Sequence, residues 1–257
     1  MKYIDIHSHL NFPDYDADRE AVLARMAETE TGTIVVGTDF ESSKRAVELA
    51  EQHANIWACI GVHPVDDPKR TFEREKFAEL VTNAKVVAIG ECGLDFFHVD
   101  KNQDIERQTE LFLEQVDFAI AHKKPIMIHA RDAYVELLEI LEPLKREHVH
   151  ALWGDVHFFA GDLKIAQRFW DIGFTTSFTG VITFAHNYDE VIKNAPLEML
   201  MSETDAPFVT PAPYRGKKNE PSYVGEVVKK IAEIRGEDFE IVREQMIKNA
   251  QKVFHIA

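Results

Sequence analysis

A chain of 257 residues with 45% apolar and 28% charged residues carries enough apolar mass for one substantial core and too much for a disordered chain. Its formal net charge of −15 excludes broad, sequence-independent gripping of duplex DNA through a basic face, yet leaves room for a local phosphate site made by a few cations in one cleft. The longest apolar runs are strand-sized, and residues 1–10 lack the apolar stretch of a secretory signal, so a cytoplasmic protein without membrane association is expected.

Apolar, β-branched runs alternate along the chain with longer stretches whose apolar residues recur every three or four positions, the order expected of βα units around a parallel sheet. The first run, 3–10, is followed by runs at 33–38, 56–63, 86–94, 125–129, 152–159, 174–178 and 199–205. Eight such runs close a barrel, so the sequence predicts an α/β fold, a (β/α)8 TIM barrel filling residues 1–257 as a single domain. Between the runs, Glu41, Asp104 and Asp162 stand where helices would open, and Leu111, Val116 and Phe118 mark the apolar stripe after Asp104. A Pro- and Gly-rich loop over 210–221 follows the eighth run, and two helical stretches end near Phe254. An open doubly wound sheet shares this alternation, but the Gly-rich phosphate turn after its first strand is replaced here by His7-Ser8-His9. Cys59 and Cys92 lie inside apolar runs, as buried free thiols do, and no cysteine-based zinc site is predicted.

Alternate residues of a strand point to one side, so His7 and His9 project together, as two neutral imidazoles must to hold one cation. Other polar groups recur at the same structural address, the C-terminal end of a run. They are His63 in Gly-Val-His-Pro, Glu91 and Asp95 in Gly-Glu-Cys-Gly-Leu-Asp, His129 in Ile-His-Ala-Arg, His157 in Val-His-Phe-Phe and Asp205 in Glu-Thr-Asp-Ala-Pro. Barrels place their chemistry there. So many ionisable groups would be costly in a core without a cation or a dense set of partners. Imidazole and carboxylate without thiolate suits Zn, Mn, Ni, Fe or Co and admits Mg. A carboxylate such as Glu91 can bridge two ions roughly 3.5–4 Å apart, an arrangement suited to in-line displacement at phosphorus.

In order and spacing these motifs resemble the TatD family of metal-dependent deoxyribonucleases, a branch of the amidohydrolase-like barrels, over nearly the whole chain. The resemblance is carried by Asp5-Ile6-His7-Ser8-His9-Leu10, Gly61-Val62-His63-Pro64, Ile89-Gly90-Glu91 with Gly93-Leu94-Asp95, and His129 with Arg131. It continues through His157 with Gly161, Glu203-Thr204-Asp205-Ala206-Pro207 and Tyr214-Arg215-Gly216-Lys217-Lys218-Asn219-Glu220-Pro221. What it implies is one or two divalent metal ions, Mg, Mn or Zn. One ion would be held by His7, His9 and Asp205, the other by His129 and His157, with Glu91 bridging. Asp205 would hold and deprotonate the attacking water beside Glu91, and His63 would contact a substrate phosphate. The implied substrate is DNA, and an acidic protein with one small basic loop, poorly built to grip long duplex, is expected to act at single-stranded or frayed ends. The chain departs from the family at Phe158, where many relatives have Cys, and at Phe159-Ala160-Gly161 in place of Phe-Ser-Gly.

Arg131, two residues past His129, is a candidate for a phosphate or for an ion pair with Asp95 or Glu203. Arg215 and Lys217 are phosphate candidates in the late loop, where Lys218 is read as solvated. Glu203 is read as orienting a ligand. Phe96, Phe97 and Phe158 suit base stacking or an apolar wall. The other histidines, His53, His98, His122, His148, His150, His186 and His255, are assigned surface or packing roles. The expected activity is metal-dependent hydrolysis of DNA phosphodiesters. The alternative keeps the metal cage and changes the substrate to a small amide, ester, lactone or phosphoester, and a third reading is a non-enzymatic scaffold. No protein partner is implied.

Overall fold

The computed structural model describes residues 1–256. Its strands are β1 (Tyr3–Ser8), β2 (Thr31–Val36), β3 (Ile56–Ile60), β4 (Val86–Asp95), β5 (Ile126–Arg131), β6 (Gly154–Val156), β7 (Phe174–Phe178) and β8 (Leu200–Ser202). They pair in chain order, and every pair is parallel. Helices α1 (Arg19–Glu28), α2 (Phe40–Gln52), α3 (Arg74–Val81), α4 (Lys101–His122), α5 (Tyr134–Glu147), α6 (Leu163–Asp171) and α7 (Asp189–Asn194) alternate with the strands, and α8 (Val224–Arg235) and α9 (Phe239–Phe254) follow β8. A bridge between Ser8 and Ala206, with the His9 N–H donating to the Ala206 carbonyl at 2.7 Å, brings the two ends of the sheet together. The result is the predicted TIM barrel in one domain.

Two predicted strands are cut to three residues each. The runs at 152–159 and 199–205 form ladder only over β6 and β8, because Phe158 (φ 45°) and Asp205 (φ 53°) adopt left-handed conformations through which no strand continues. Both departures carry polar side chains out of the ladder and into the barrel mouth. Asp162 caps α6 as expected, accepting the Ile165 N–H at 2.9 Å. The other two helix starts lie elsewhere. A capping box pairs Asp39 with Ser42 at the start of α2, and Asp100 caps α4 one turn ahead of Asp104, whose carboxylate instead binds Arg107 and Gln108.

Strands buried on both faces need two cores. On the outside, Val35, Ala58, Ile60, Ile89 and Ile128 pack against the helices. A second cluster joins Ile4, Ile6, Ile34, Val36, Trp57, Cys59, Val87, Met127 and Met201, side chains from six strands that can meet only inside the barrel. Ala250, Val253 and Phe254 of α9 extend this cluster and close one end. With that end filled by apolar groups, each contributing roughly 1.5–3 kcal/mol when fully buried, the polar residues are confined to the opposite mouth. Cys59 and Cys92 are buried and free. Among the described residues no helix is long and apolar enough to cross a membrane.

Candidate metal centre

Two departures from regular strand geometry aim the site. The β1 register slips against β2 between Asp5 and Ser8. Asp5 and Ser8 therefore both reach Thr33, at 3.5 and 2.8 Å, while His7 and His9 turn together into the mouth. Simple alternation predicted the pair correctly but not the slip. In β4 the register shifts again between Ile89 and Cys92, around Glu91. Gly90 and Gly93 have φ of 148° and 153°, and a Cβ on either would lie 2.4 Å from the Met127 carbonyl oxygen or 1.9 Å from that of His129. Only glycine lets β4 approach β5 this closely.

Glu91 lies at the centre, with its two oxygens facing different partners. Oε2 is 3.4 Å from His7 Nε2 and 3.7 Å from His9 Nε2, and Asp205 Oδ1 lies 3.8 and 3.5 Å from the same two nitrogens. Oε1 is 2.7 Å from His129 Nδ1, 2.8 Å from His157 Nε2 and 3.7 Å from His63 Nε2. His7, His9 and Glu91 thus form one compact donor group, and Glu91, His129 and His157 another. His7 and His9 thus face one oxygen of Glu91, with Asp205 beside those two rings, and His129 and His157 face the other.

The far side of three of the rings is also engaged, which decides which nitrogen is bare there, while His7 Nδ1 is buried without a hydrogen-bond partner. His9 Nδ1 faces the Val36 carbonyl at 3.1 Å, so it carries the proton and leaves Nε2 as a lone pair in the neutral ring. His129 Nε2 donates to Asp95 Oδ2 at 2.9 Å, which frees Nδ1. His157 Nδ1 faces Glu203 Oε2 at 3.4 Å, which frees Nε2. His7 Nε2 and His9 Nε2 stand 3.2 Å apart, a separation that a shared proton or a cation accommodates and two lone pairs alone do not. Borderline imidazole and hard carboxylate donors fit a divalent metal of the Zn or Mn kind, and Mg through the carboxylates. His63, Asp95 and His129 also cluster, but that group would need the His129 nitrogen already committed to Asp95.

Burial opposes charge throughout the site, so groups that stay charged there do so through strong mutual fields. Against burial, His157, His63, His7 and His129 hold Glu91 well below the usual carboxylate range. Against the same penalty, Glu91 and Glu203 lift His157 well above an ordinary imidazole, Asp205 and Glu91 raise His9, and Asp95 and Glu91 raise His129. His7 moves the other way, lowered by burial and by His157, whose ring stacks on it at 3.9 Å.

Behind the rings lies a chain of groups that the sequence reading saw only in part. Glu203, fully buried, accepts the Phe158 N–H at 2.5 Å and lies 2.9 Å from Ser177 Oγ, which reaches Asp155 at 2.6 Å. Burial pushes Asp155 up to about 7, against the hydrogen bond from Ser177. Glu203, read from the sequence as orienting a ligand, contacts both His157 and the turn after it. Asp155 and Ser177 were missed because a short polar residue in a strand has no pattern that separates it from a solvated one. Asn219 gave no signal for a different reason: in its segment only the cations carry a charge that marks a phosphate site. Its Nδ2 donates to the Thr204 and Phe208 carbonyls at 2.9 and 2.5 Å, tying down both sides of the Asp205 turn.

The site opens into a cleft of about 690 Å³ whose walls include His63, Arg131, Phe158, Asp205 and Phe208. Arg131 pairs with neither Asp95 nor Glu203; its guanidinium carbon lies 3.6 Å over the Phe97 ring. Arg215 and Lys217 do not line this cleft: Arg215 lies over Phe184 at 4.0 Å and donates to the Thr210 carbonyl, while Lys217 sits over Tyr214. Lys218, read as solvated, is bound to Asp18 at 2.6 Å. His98 joins the cleft wall despite its assignment to the surface. Phe96 is buried, Phe97 is exposed and Phe158 faces the cleft. A smaller pocket of about 420 Å³ between α2 and α3 holds no histidine, and its Arg70 and Lys76 are paired with Asp39 and Glu73.

Known proteins resemble this chain over almost its whole length. A family model described as TatD related DNase matches residues 4–255. The metal-dependent hydrolase YabD of Bacillus subtilis is 42% identical over 257 residues, covering 98% of each chain. YcfH of Escherichia coli K12, also named a metal-dependent hydrolase, is 32% identical over all of this chain and 97% of its own. The crystal structure of YjjV, a TatD homologue from Escherichia coli K12, superposes with a TM-score of 0.90 at 32% identity, covering 100% of this chain and 99% of that one.

Proposed function

The chain belongs to the family of TatD-related DNases and is a metal-dependent hydrolase, and from that premise we propose that it hydrolyses phosphodiester bonds of DNA, with single-stranded or frayed ends as substrate. The observation that carries this reading is the division of Glu91 between two donor sets on the floor of an open cleft. His7, His9 and Asp205 would hold one divalent ion, His129 and His157 the other, with Glu91 shared. Bound there, such ions supply Lewis-acid polarisation of the phosphoryl group and ease deprotonation of water.

The chain's own residues do the rest. Asp205, with its side chain partly open to the cleft, accepts the proton of the attacking water as general base. The Glu91 carboxylate keeps its charge because the imidazoles around it, His157, His63, His7 and His129 foremost, favour the ionised form, and so it fixes the separation of the two sets. His63, whose Nδ1 is held by Asp66 at 2.8 Å, presents Nε2 to a substrate phosphate oxygen. Arg131 adds donors at the same wall. Arg215 and Lys217, outside the cleft wall, reach only a distal part of a longer strand.

The test is release of nucleotides from labelled single-stranded DNA by metal-stripped protein given Mg, Mn, Zn or no metal, beside an Asp205→Asn variant. Cleavage restored by metal and lost in the variant supports the reading. Tight metal binding with intact DNA in every condition overturns it in favour of a small ester, amide, lactone or phosphoester substrate.

A further inference from the structure

Three of the seventeen phenylalanines are exposed, and all three follow the C-terminal ends of strands: Phe97 after β4, Phe184 after β7 and Phe208 after β8. That is the end bearing the histidines and carboxylates. Rings left in water forfeit the burial that stabilises the other phenylalanines, so their gathering at one mouth points to a ligand rather than to packing.

Two of the three flank the site on opposite sides. Phe208 lines the cleft beside His9, with ring centroids 6.2 Å apart. On the side of His129, Arg131 lines the cleft and covers one face of Phe97 at 3.6 Å. The Phe97 N–H donates to Asp95 Oδ1 at 2.9 Å, and Asp95 is the carboxylate that holds His129. One flat surface is therefore built next to each of the two donor sets.

Resting on the phosphodiester reading, we infer that Phe208 and the Phe97–Arg131 pair are base-stacking subsites on either side of the scissile phosphate, which confine the substrate to strands whose bases are unpaired there. A base inside a duplex already has both faces stacked, whereas an unpaired base offers a free face to an aromatic ring or a guanidinium plane. Charge argues in the same direction. A protein of net charge −15 repels a polyanion at long range, so affinity has to come from short-range contact that is indifferent to charge, and stacking supplies it. Arg131 contributes both ways, since its plane stacks while its N–H groups remain available to a phosphate.

The test compares kcat/KM of the full-length protein, with the metal that supports cleavage, on two single-stranded oligodeoxynucleotides of equal length. One carries thymines and the other a central block of base-free tetrahydrofuran residues. The wild type is expected to favour the base-bearing strand by about tenfold or more. In Phe208→Ala and Phe97→Ala that preference shrinks severalfold, and Phe208→Trp retains it. Both rings are exposed, so their removal leaves no cavity in the core. Equal preferences in the wild type and the alanine variants overturn the inference while leaving phosphodiester hydrolysis intact. No cleavage of either strand with any metal overturns the inference and the phosphodiester reading together.

Discussion

His129 Nε2 donates to Asp95 Oδ2 at 2.9 Å, and this contact sets which face of the imidazole looks toward Glu91. Asp95 is itself immobilised, because its Oδ1 accepts the Phe97 N–H and its own N–H is held by Gln108 Oε1 at 2.7 Å. A ring fixed in tautomer and rotamer loses little freedom on capturing a cation. Asp95→Ala is therefore expected to weaken Mn or Zn binding by about 10–100-fold, read by titration calorimetry. Affinity within twofold of the wild type would remove Asp95 from the design of the site.

Glu203 makes a sharper case, since charge and hydrogen-bond direction can be separated there. Its Oε1 accepts from the Phe158 N–H, and its Oε2 faces His157 Nδ1. In Glu203→Gln the amide oxygen stays with the Phe158 N–H, so the NH2 group must face Nδ1. That forces the ring proton onto Nε2, the nitrogen that points at Glu91. Metal affinity should fall by at least tenfold while the circular dichroism spectrum stays native. A variant that binds metal as the wild type does would show that His157 ligation does not depend on the tautomer.

Metal uptake should release protons at neutral pH. His157 stands well above the ordinary imidazole value and His9 and His129 above it, so in the metal-free protein these rings hold protons that a cation must displace. The sign follows directly: affinity rises as pH rises toward those raised values and falls as pH drops below them. Calorimetry at pH 7 in two buffers of different ionisation enthalpy should give binding heats that differ by at least one proton's worth. Identical heats would mean that the imidazoles are already neutral.

The barrel was legible because eight β-branched runs alternating with helical stretches leave few alternatives, and the polar centre because each candidate ended such a run. His7, His9, Glu91, His129, His157 and Asp205 meet at one place for that reason. What stayed hidden depends on side-chain direction. Arg131 stacks on Phe97 instead of pairing with a carboxylate, and Arg215 turns to Phe184, choices made by rotamers that no spacing encodes. The helix starts at Asp39 and Asp100 were misplaced by one turn or less, because several acidic residues compete there and only backbone geometry selects one. Asn219 looks like any loop amide until the carbonyls it binds are seen on both sides of Asp205.

Asp155 offers a test of the buried chain that does not involve catalysis. Folded, it titrates at about 7 because burial disfavours its charge; unfolded, it returns to the ordinary value of 3.8. Between those limits the native state binds one more proton than the unfolded state, so stability falls as pH rises through the window and levels off above it. The protonated carboxyl can donate to Ser177 Oγ, which in turn donates to Glu203, and Asn at this position keeps both that donor and an acceptor for the Thr175 hydroxyl. Asp155→Asn should therefore remove its share of the slope, up to roughly 1.4 kcal/mol per pH unit. Urea unfolding of metal-stripped wild type and variant at pH 5, 6, 7 and 8 measures this. The variant should gain on the wild type from pH 5 to 7, by a smaller step from 7 to 8, and no further above that. Parallel curves would mean that Asp155 is ionised in the fold, with Ser177 left to bridge two carboxylates.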